Sequence, residues 1–92
     1  MQIIRDTNYL LALDSILEHI TKDSFVSANK FSKALDKKIN KLPNMPYKFR
    51  QSLYYDDENI RDFIFKGYTI PYLIDESDST LVILDIFKWV QR

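Results

Sequence analysis

The sequence contains no cysteine, and this absence excludes disulfide bonds, a thiolate nucleophile and any metal site built on sulfur. Its single histidine argues against a zinc cluster. The 13 basic and 13 acidic side chains cancel, so the overall positive charge that often marks a nucleic-acid-binding protein is missing. We therefore expect neither a metal site nor another cofactor.

Long apolar runs are also missing. No run approaches the roughly 20 residues that a membrane-spanning helix requires, and no signal peptide opens the sequence. These two absences predict a cytoplasmic protein without a membrane partner. The length of 92 residues and the hydrophobic content of 46% predict a single domain, residues 1–92, with one core.

The only glycine, Gly67, marks the stretch on which the rest of the chain depends. It follows Lys66 between two apolar runs, residues 60–65 and 68–74, where a two-residue hairpin needs a positive φ angle. A polar segment, residues 75–79, separates the second run from a third at residues 80–88. Runs bounded by short turns predict three consecutive antiparallel strands, a meander.

Two amphipathic helices are predicted upstream of the meander. The first follows Asp6 or Thr7, either of which can cap it, and its apolar face consists of Leu10, Leu13, Ile16, Leu17 and Ile20. The second follows Asp23 or Ser24 and ends before Pro43, which cannot continue a helix comfortably. Its apolar face consists of Phe25, Ala28, Phe31, Leu35, Ile39 and Leu42. The short connection predicts an antiparallel helical hairpin.

These elements predict an α+β fold: a short N-terminal strand at residues 2–5, a two-helix antiparallel hairpin, and an antiparallel sheet ending in the three-stranded meander. Residues 47–59 are expected to be irregular. Both faces of the sheet are rich in apolar residues, because Tyr68, Ile70 and Tyr72 alternate with Thr69 and Pro71. The hairpin can cover only one face, which leaves an apolar surface for a partner. Pro71 removes a ladder donor in what is predicted to be a middle strand, and this requires either a bulge or an outward-facing backbone nitrogen at that position.

Three segments in this order resemble the RelE/ParE superfamily of bacterial toxins from type II toxin–antitoxin systems. Residues 27–50 resemble its second helix, ending in leucine, proline and then arginine, and residues 60–75 resemble its hairpin. Gly67 precedes the first of two tyrosines spaced four apart, Tyr68 and Tyr72, and residues 80–89 resemble the last strand. The resemblance implies a toxin, found in plasmid-stabilisation modules, that a cognate antitoxin neutralises, with a toxin–antitoxin hetero-oligomer as the expected assembly.

The superfamily has two main activities, and the resemblance implies different residues for each. RelE-like members cut messenger RNA on the ribosome, whereas ParE-like members inhibit DNA gyrase by binding. The ribonuclease branch has basic residues before the glycine and an arginine after the first tyrosine; here those positions correspond to Ile60, Asp62 and Thr69. Its C-terminal tyrosine has no counterpart. The sequence therefore favours the ParE-like branch, without a catalytic residue, over a RelE-type ribonuclease or a catalytically degenerate binding module.

The candidate binding residues are cations and aromatics in or near the meander: Arg50, Arg61, Lys66, Tyr68, Tyr72, Lys88, Trp89 and Arg92. Guanidinium groups suit carboxylates and phosphates, and tryptophan and arginine are enriched at interface hot spots. The alternatives are surface charges in solvent, tyrosines packed in the core, and a tryptophan folded back onto the helices. His19 is expected on the surface of the first helix. We expect the uncovered sheet face and the Trp89 end to contact the antitoxin.

Overall fold

The computed structural model describes residues 1–88, which form two layers, a pair of helices on a sheet. In chain order the elements are β1 (Gln2–Arg5), α1 (Thr7–Asp23), α2 (Phe25–Lys41), a single 3-10 turn (Leu42–Asn44), β2 (Ile60–Phe65), β3 (Tyr68–Asp75), β4 (Thr80–Ile83) and β5 (Phe87–Lys88). This order confirms the predicted α+β fold. No helix in this part of the chain has the length and apolarity needed to cross a membrane.

Both helices begin at side-chain caps. The Asp6 carboxylate accepts a hydrogen bond of 3.0 Å from the Asn8 N–H, and the Ser24 hydroxyl accepts one of 3.1 Å from the Ser27 N–H. These bonds satisfy N–H groups that have no partner inside the helix. Pro43 lies within the 3-10 turn that follows α2, so the predicted end of the second helix is confirmed.

The buried face of α1 differs from the predicted one at its first turn. Tyr9 is completely buried, whereas Leu10 is 45% exposed. Tyr9 reaches the core beside Leu35 and Ile39 of α2, and burial together with the Asp36 carboxylate raises its pKa to about 12. The second helix follows its predicted face, apart from Phe25, which is exposed at the helix start. The helical period locates the apolar stripe of a helix. Which residue is buried at the end of the helix also depends on the helix and sheet against which it packs.

The sheet has the strand order β1-β4-β3-β2. The pairs β2–β3 and β3–β4 are antiparallel and consecutive, as predicted for the meander. The pair β1–β4 is parallel, with Ile3 opposite Leu81, so the sheet as a whole is mixed. The β2–β3 turn is made by Lys66 and Gly67, whose φ angles of 50° and 84° are both positive, as a two-residue type I′ hairpin requires.

A one-residue bulge divides the third predicted run into β4 and β5. Tyr72 pairs with Ile83, but Thr69 pairs with Phe87, so the register shifts by one residue between these pairs. The shift turns Ile86 into the core, whereas unbroken alternation from Leu81 and Ile83 would place Phe87 on that face. The bulge also explains Pro71. Its carbonyl accepts from the Leu84 N–H, so its nitrogen faces the interruption, where no ladder donor is required.

The core lies between the helices and one face of the sheet. Strand β3 contributes the alternate residues Ile70, Tyr72 and Ile74. Their register partners are Phe63 of β2 and, on β4, Ile83 and Leu81. We call the sheet face that packs against the helices the helix-facing side, and the opposite face of the sheet the second side.

Candidate interaction sites

Three of the predicted binding residues come together at the end of the β2–β3 hairpin. Lys88 lies opposite Tyr68 in the β3–β5 register, and Lys66 is the first residue of the adjacent turn. Both lysines are exposed, with the Lys66 amino group 5.5 Å from the centre of the Phe65 ring. Tyr68 is half-buried, because its ring packs edge-to-face on Phe31 at 5.5 Å. The hairpin end therefore offers two accessible cations beside one edge of a tyrosine.

Two other predicted residues hold the chain segment that follows α2. The Arg61 guanidinium donates to the Phe49 carbonyl at 3.1 Å and lies 5.2 Å from the centre of the Tyr47 ring. Its register partner Tyr72 is completely buried and donates from its hydroxyl to the Pro46 carbonyl at 2.6 Å. Burial raises the pKa of Tyr72 to about 12. Arg61 and Tyr72 thus fix residues 46–49 against the sheet.

Arg50 lies beside a buried carboxylate that the sequence had not identified as a contact group. Asp62 is only 1% exposed, and its Oδ2 lies 3.6 Å from the Arg50 guanidinium. The same oxygen accepts a 3.0 Å hydrogen bond from the Leu53 N–H. The Asp62 N–H in turn donates to the Arg50 carbonyl. These contacts hold residues 50–53 on β2. The signal available in the sequence was an acid within a predicted strand that is otherwise mostly apolar.

We call residues 50–59 the covering loop. Residues 50–52 pair along the outer edge of β2, and the residues that follow contact the second side of the sheet. The Tyr54 ring packs edge-to-face on Phe87 at 4.9 Å. Burial and the nearby Asp85 and Asp62 carboxylates raise the pKa of Tyr55. Beneath the loop, Thr69 is completely buried. The centre of the face that was expected to be uncovered is therefore covered by the chain's own loop, which pairs with the buried Asp62 carboxylate. That the antitoxin contacts this face stays a prediction.

An open pocket of about 420 Å³ lies where the end of α2 meets β2. Its lining consists of Lys38, Lys41, Leu42, Asn44, Met45, Lys48, Phe49, Phe63, Ile64 and Phe65. The floor is apolar, whereas all the charged side chains of the lining are lysines. Sequence reasoning missed this pocket. The available signal was the group of lysines at the end of α2 followed by Lys48, but only the fold brings them next to the phenylalanines of β2.

The remaining predicted groups do not form a reactive centre with these sites. His19 is exposed on α1. Across residues 1–88, no cluster of three or more histidine, aspartate and glutamate side chains is placed to bind a metal ion. Trp89 and Arg92 lie outside the described residues, so their predicted contacts remain predictions.

The architecture is shared with a solved toxin–antitoxin structure. The chain is similar to one titled "Chromosomal ParDE TA system from P. aeruginosa", with a TM-score of 0.80 and 16% identity over 98% of this chain and 97% of that chain. The fold is therefore RelE/ParE-like. A comparison with curated protein sequences finds no match.

The family is shown by sequence. Residues 9–89 match the family described as ParE toxin of type II toxin-antitoxin system, parDE. The chain belongs to the ParE toxin family, which confirms the superfamily resemblance seen in residues 27–50, 60–75 and 80–89.

Proposed function

We propose that this ParE-family toxin arrests growth by binding DNA gyrase, and that a cognate antitoxin keeps it inactive in a hetero-oligomer. Family membership supports the toxin role, and the structural neighbour is a ParDE system. The choice of gyrase over the ribosome rests on the chemistry that the described residues offer. The hairpin end is suited to binding, with exposed cations beside a tyrosine edge.

The observation that carries this choice is the burial of the positions that would have to act on RNA. Cleavage by the 2′-hydroxyl needs groups that accept and donate a proton, and cations that hold the phosphate. Thr69, which follows the first hairpin tyrosine, is 0% exposed. Asp62, in the strand before the glycine, is held by Leu53 and Arg50 under the covering loop. Neither side chain can reach a substrate without displacing that loop.

The predicted binding residues have different roles in this proposal. Lys66, Lys88 and the accessible edge of Tyr68 are the candidates for direct contact with a partner. Arg50 is a further candidate, half-exposed beside Asp62 at the outer edge of β2. Trp89 and Arg92 continue the chain from this end and are proposed to extend the contact. Arg61 and Tyr72 act indirectly, since both are bound to the segment at residues 46–49.

The test is induced expression of the toxin without an antitoxin, followed by assays on purified protein. We expect a DNA-damage response in cells, and loss of supercoiling activity when the toxin is added to gyrase. The double variant Lys66→Ala/Lys88→Ala should weaken gyrase inhibition, whereas Lys33→Ala, an exposed lysine of α2, should not. Cut messages and arrested translation would instead establish the ribonuclease alternative. A chain that folds but neither slows growth nor affects gyrase or the ribosome would be a binding module.

A further inference from the structure

Exposed lysines from three parts of the chain meet on one surface, although the chain as a whole has no net charge. Lys38, Lys41 and Lys48 line the pocket between α2 and β2, and Phe65 forms part of the same lining. The Lys66 amino group lies 5.5 Å from the centre of that Phe65 ring. The lysines of the pocket and the lysine of the hairpin turn therefore belong to one continuous surface.

Lys88 extends this surface along the hairpin end. Directly opposed residues of an antiparallel pair point to the same face of the sheet, so Lys88 shares the helix-facing side with its register partner Tyr68. The Tyr68 ring packs on Phe31 of α2 at 5.5 Å, and Phe31 packs on Phe65 at 5.4 Å. We call the following group of exposed residues the lysine surface: Lys38, Lys41, Lys48, Lys66 and Lys88.

Within residues 1–88, no carboxylate pairs with the lysine surface. The pocket has no acidic lining residue, and the ion pairs of this part of the chain are made by Arg5 and Arg50 instead. Lysines near a helix C-terminus stabilise the helix itself, which accounts for Lys38 and Lys41. This effect does not account for the three lysines outside the helix. The surface therefore attracts an anionic partner.

Exposed acids gather at the opposite end of the sheet. The Ile74 N–H donates to the Asn59 carbonyl at 2.9 Å, which joins the loop before β2 to the end of β3. That loop and the β3–β4 turn carry five exposed acids: Asp56, Asp57, Glu58, Glu76 and Asp78. The six residues of β2, at about 3.3 Å each, separate this end from the hairpin turn by roughly 20 Å. A large anion is thus attracted to one end of the sheet and repelled from the other.

The rings of the lysine surface favour a duplex over a single strand of nucleic acid. Single strands bind mainly by stacking their bases on free aromatic faces. Here the Phe65 ring packs on Phe31 and has the Lys66 amino group over it. Phe49 and Phe63 pack on each other edge-to-face at 5.2 Å. The accessible groups are amino groups, which bind a phosphate backbone without reading its sequence.

We propose that the lysine surface binds the backbone of duplex DNA without sequence preference. The proposal rests on the proposed function, because it names what Lys66 and Lys88 contact there: the duplex that gyrase holds. Lys38, Lys41 and Lys48 continue the same contact along the end of α2. The acidic end of the sheet then points away from the DNA, so the charge distribution sets the orientation in which the toxin approaches the duplex.

The test measures binding of the purified chain to a short fluorescein-labelled DNA duplex by fluorescence anisotropy, with no gyrase present. Two duplexes of unrelated sequence should bind equally, and a single strand of the same length should bind more weakly. If all five lysines displace counterions, the logarithm of the binding constant should fall against the logarithm of the salt concentration with a slope of about −4.5. That slope corresponds to about 500-fold weaker binding at about 200 mM salt than at about 50 mM.

Two double variants with the same loss of charge separate the lysine surface from net charge. Lys38→Ala/Lys66→Ala removes one lysine from the helix and one from the hairpin, and it should reduce the slope to about −2.7. Lys22→Ala/Lys33→Ala is the matched control at exposed positions outside the surface, and it should leave the slope unchanged. Lys22 belongs to α1, and Lys33 lies about 140° around α2 from Lys38. Circular dichroism checks the folding of each variant.

Several results would overturn the proposal. An equal decrease of the slope in both double variants would attribute binding to overall charge rather than to this surface. Tighter binding of the single strand would contradict the duplex, and tighter binding of an RNA duplex would direct the surface to the ribosome. Binding of polyglutamate without binding of DNA would make it a surface for an acidic protein.

A supercoiling assay distinguishes a failure of this proposal from a failure of the proposed function. Lys38→Ala/Lys41→Ala leaves both hairpin-end lysines in place, and it should weaken gyrase inhibition in parallel with its loss of DNA affinity. Unchanged inhibition together with weakened DNA binding would overturn the assignment of gyrase's DNA as the partner, while the gyrase function would stand. DNA binding by a parent chain that does not inhibit gyrase would support the lysine surface and reject gyrase as the target.

Discussion

Replacing Asp62 by alanine should release the covering loop from the second side of the sheet. The Asp62 Oδ2 atom accepts from the Leu53 N–H and faces the Arg50 guanidinium, and both partners belong to the loop. A hydrogen bond to a charged group contributes about 1.5–3 kcal/mol. The pair with half-exposed Arg50 adds at most about 1 kcal/mol.

An opposing term reduces this loss. Asp62 Oδ1 is buried, and no hydrogen-bond donor among residues 1–88 reaches it, which costs about 1–3 kcal/mol in the native protein. We therefore expect Asp62→Ala to lower the free energy of unfolding by about 1–2 kcal/mol. For a domain of this size, this corresponds to a decrease in Tm of roughly 4–16 °C. Asp62→Asn keeps an acceptor for Leu53 and should lose less.

The measurements are urea and thermal denaturation, combined with amide hydrogen exchange. The Leu53 amide should lose protection in Asp62→Ala while core amides such as that of Ile70 keep theirs relative to global stability. Asp56→Ala, an exposed acid of the same loop, is the control and should change neither quantity. If Asp62→Ala is as stable as the parent chain and its Leu53 amide remains protected, the carboxylate does not hold the loop.

Three other predictions concern stability. Tyr72→Phe leaves the Pro46 carbonyl without its donor and should cost about 1–2 kcal/mol in urea denaturation; an unchanged midpoint would mean that solvent replaces the bond. Stability should fall between pH 10 and 12, because burial raises the pKa of Tyr9 and of Tyr72 from 10.0 in the unfolded chain to about 12 in the folded chain. Raising the pH through this range favours the unfolded chain by at most about 3 kcal/mol for each tyrosine. In Tyr72→Phe this alkaline loss should be smaller, and an equal loss would assign it to other groups. Gly67→Ala should lower the free energy of unfolding by about 1–2 kcal/mol through the φ angle of +84° alone, since a Cβ at this position meets nothing within 4 Å. Gly67→Asn should lower it less, because asparagine adopts positive φ more readily than alanine. Equal stability of the parent chain and both variants would show that the turn changes conformation.

The local elements of this protein follow from its sequence, because their signals are local. Asp6 and Ser24 cap the two helices, and each is a short polar residue directly before a segment whose apolar residues recur with the helical period. Gly67 lies at the hairpin turn because its neighbours are strand-forming residues and a tight turn needs positive φ. The family resemblance, carried by segments in a fixed order, was likewise available from the sequence and is confirmed by the match over residues 9–89.

The candidate sites depended on tertiary structure, because burial and pairing of a side chain depend on distant segments. Arg61 and Tyr72 looked accessible in the sequence, but the segment after α2 folds back to accept their hydrogen bonds. A one-residue bulge, invisible in a continuous apolar run, exchanged Ile86 for Phe87 in the core and accommodated Pro71. Alternation specifies two faces only while the register holds.

The same reason explains the two surfaces that sequence reasoning could not locate. An irregular segment has no period that predicts where it packs, so the covering loop and its contact with Asp62 emerged only from the fold. The lysine-rimmed pocket joins the end of α2 to strand β2, which is separated from it by residues 42–59. Sequence supplied the charges and the rings, and the packing of helix on sheet decided that they share one cavity.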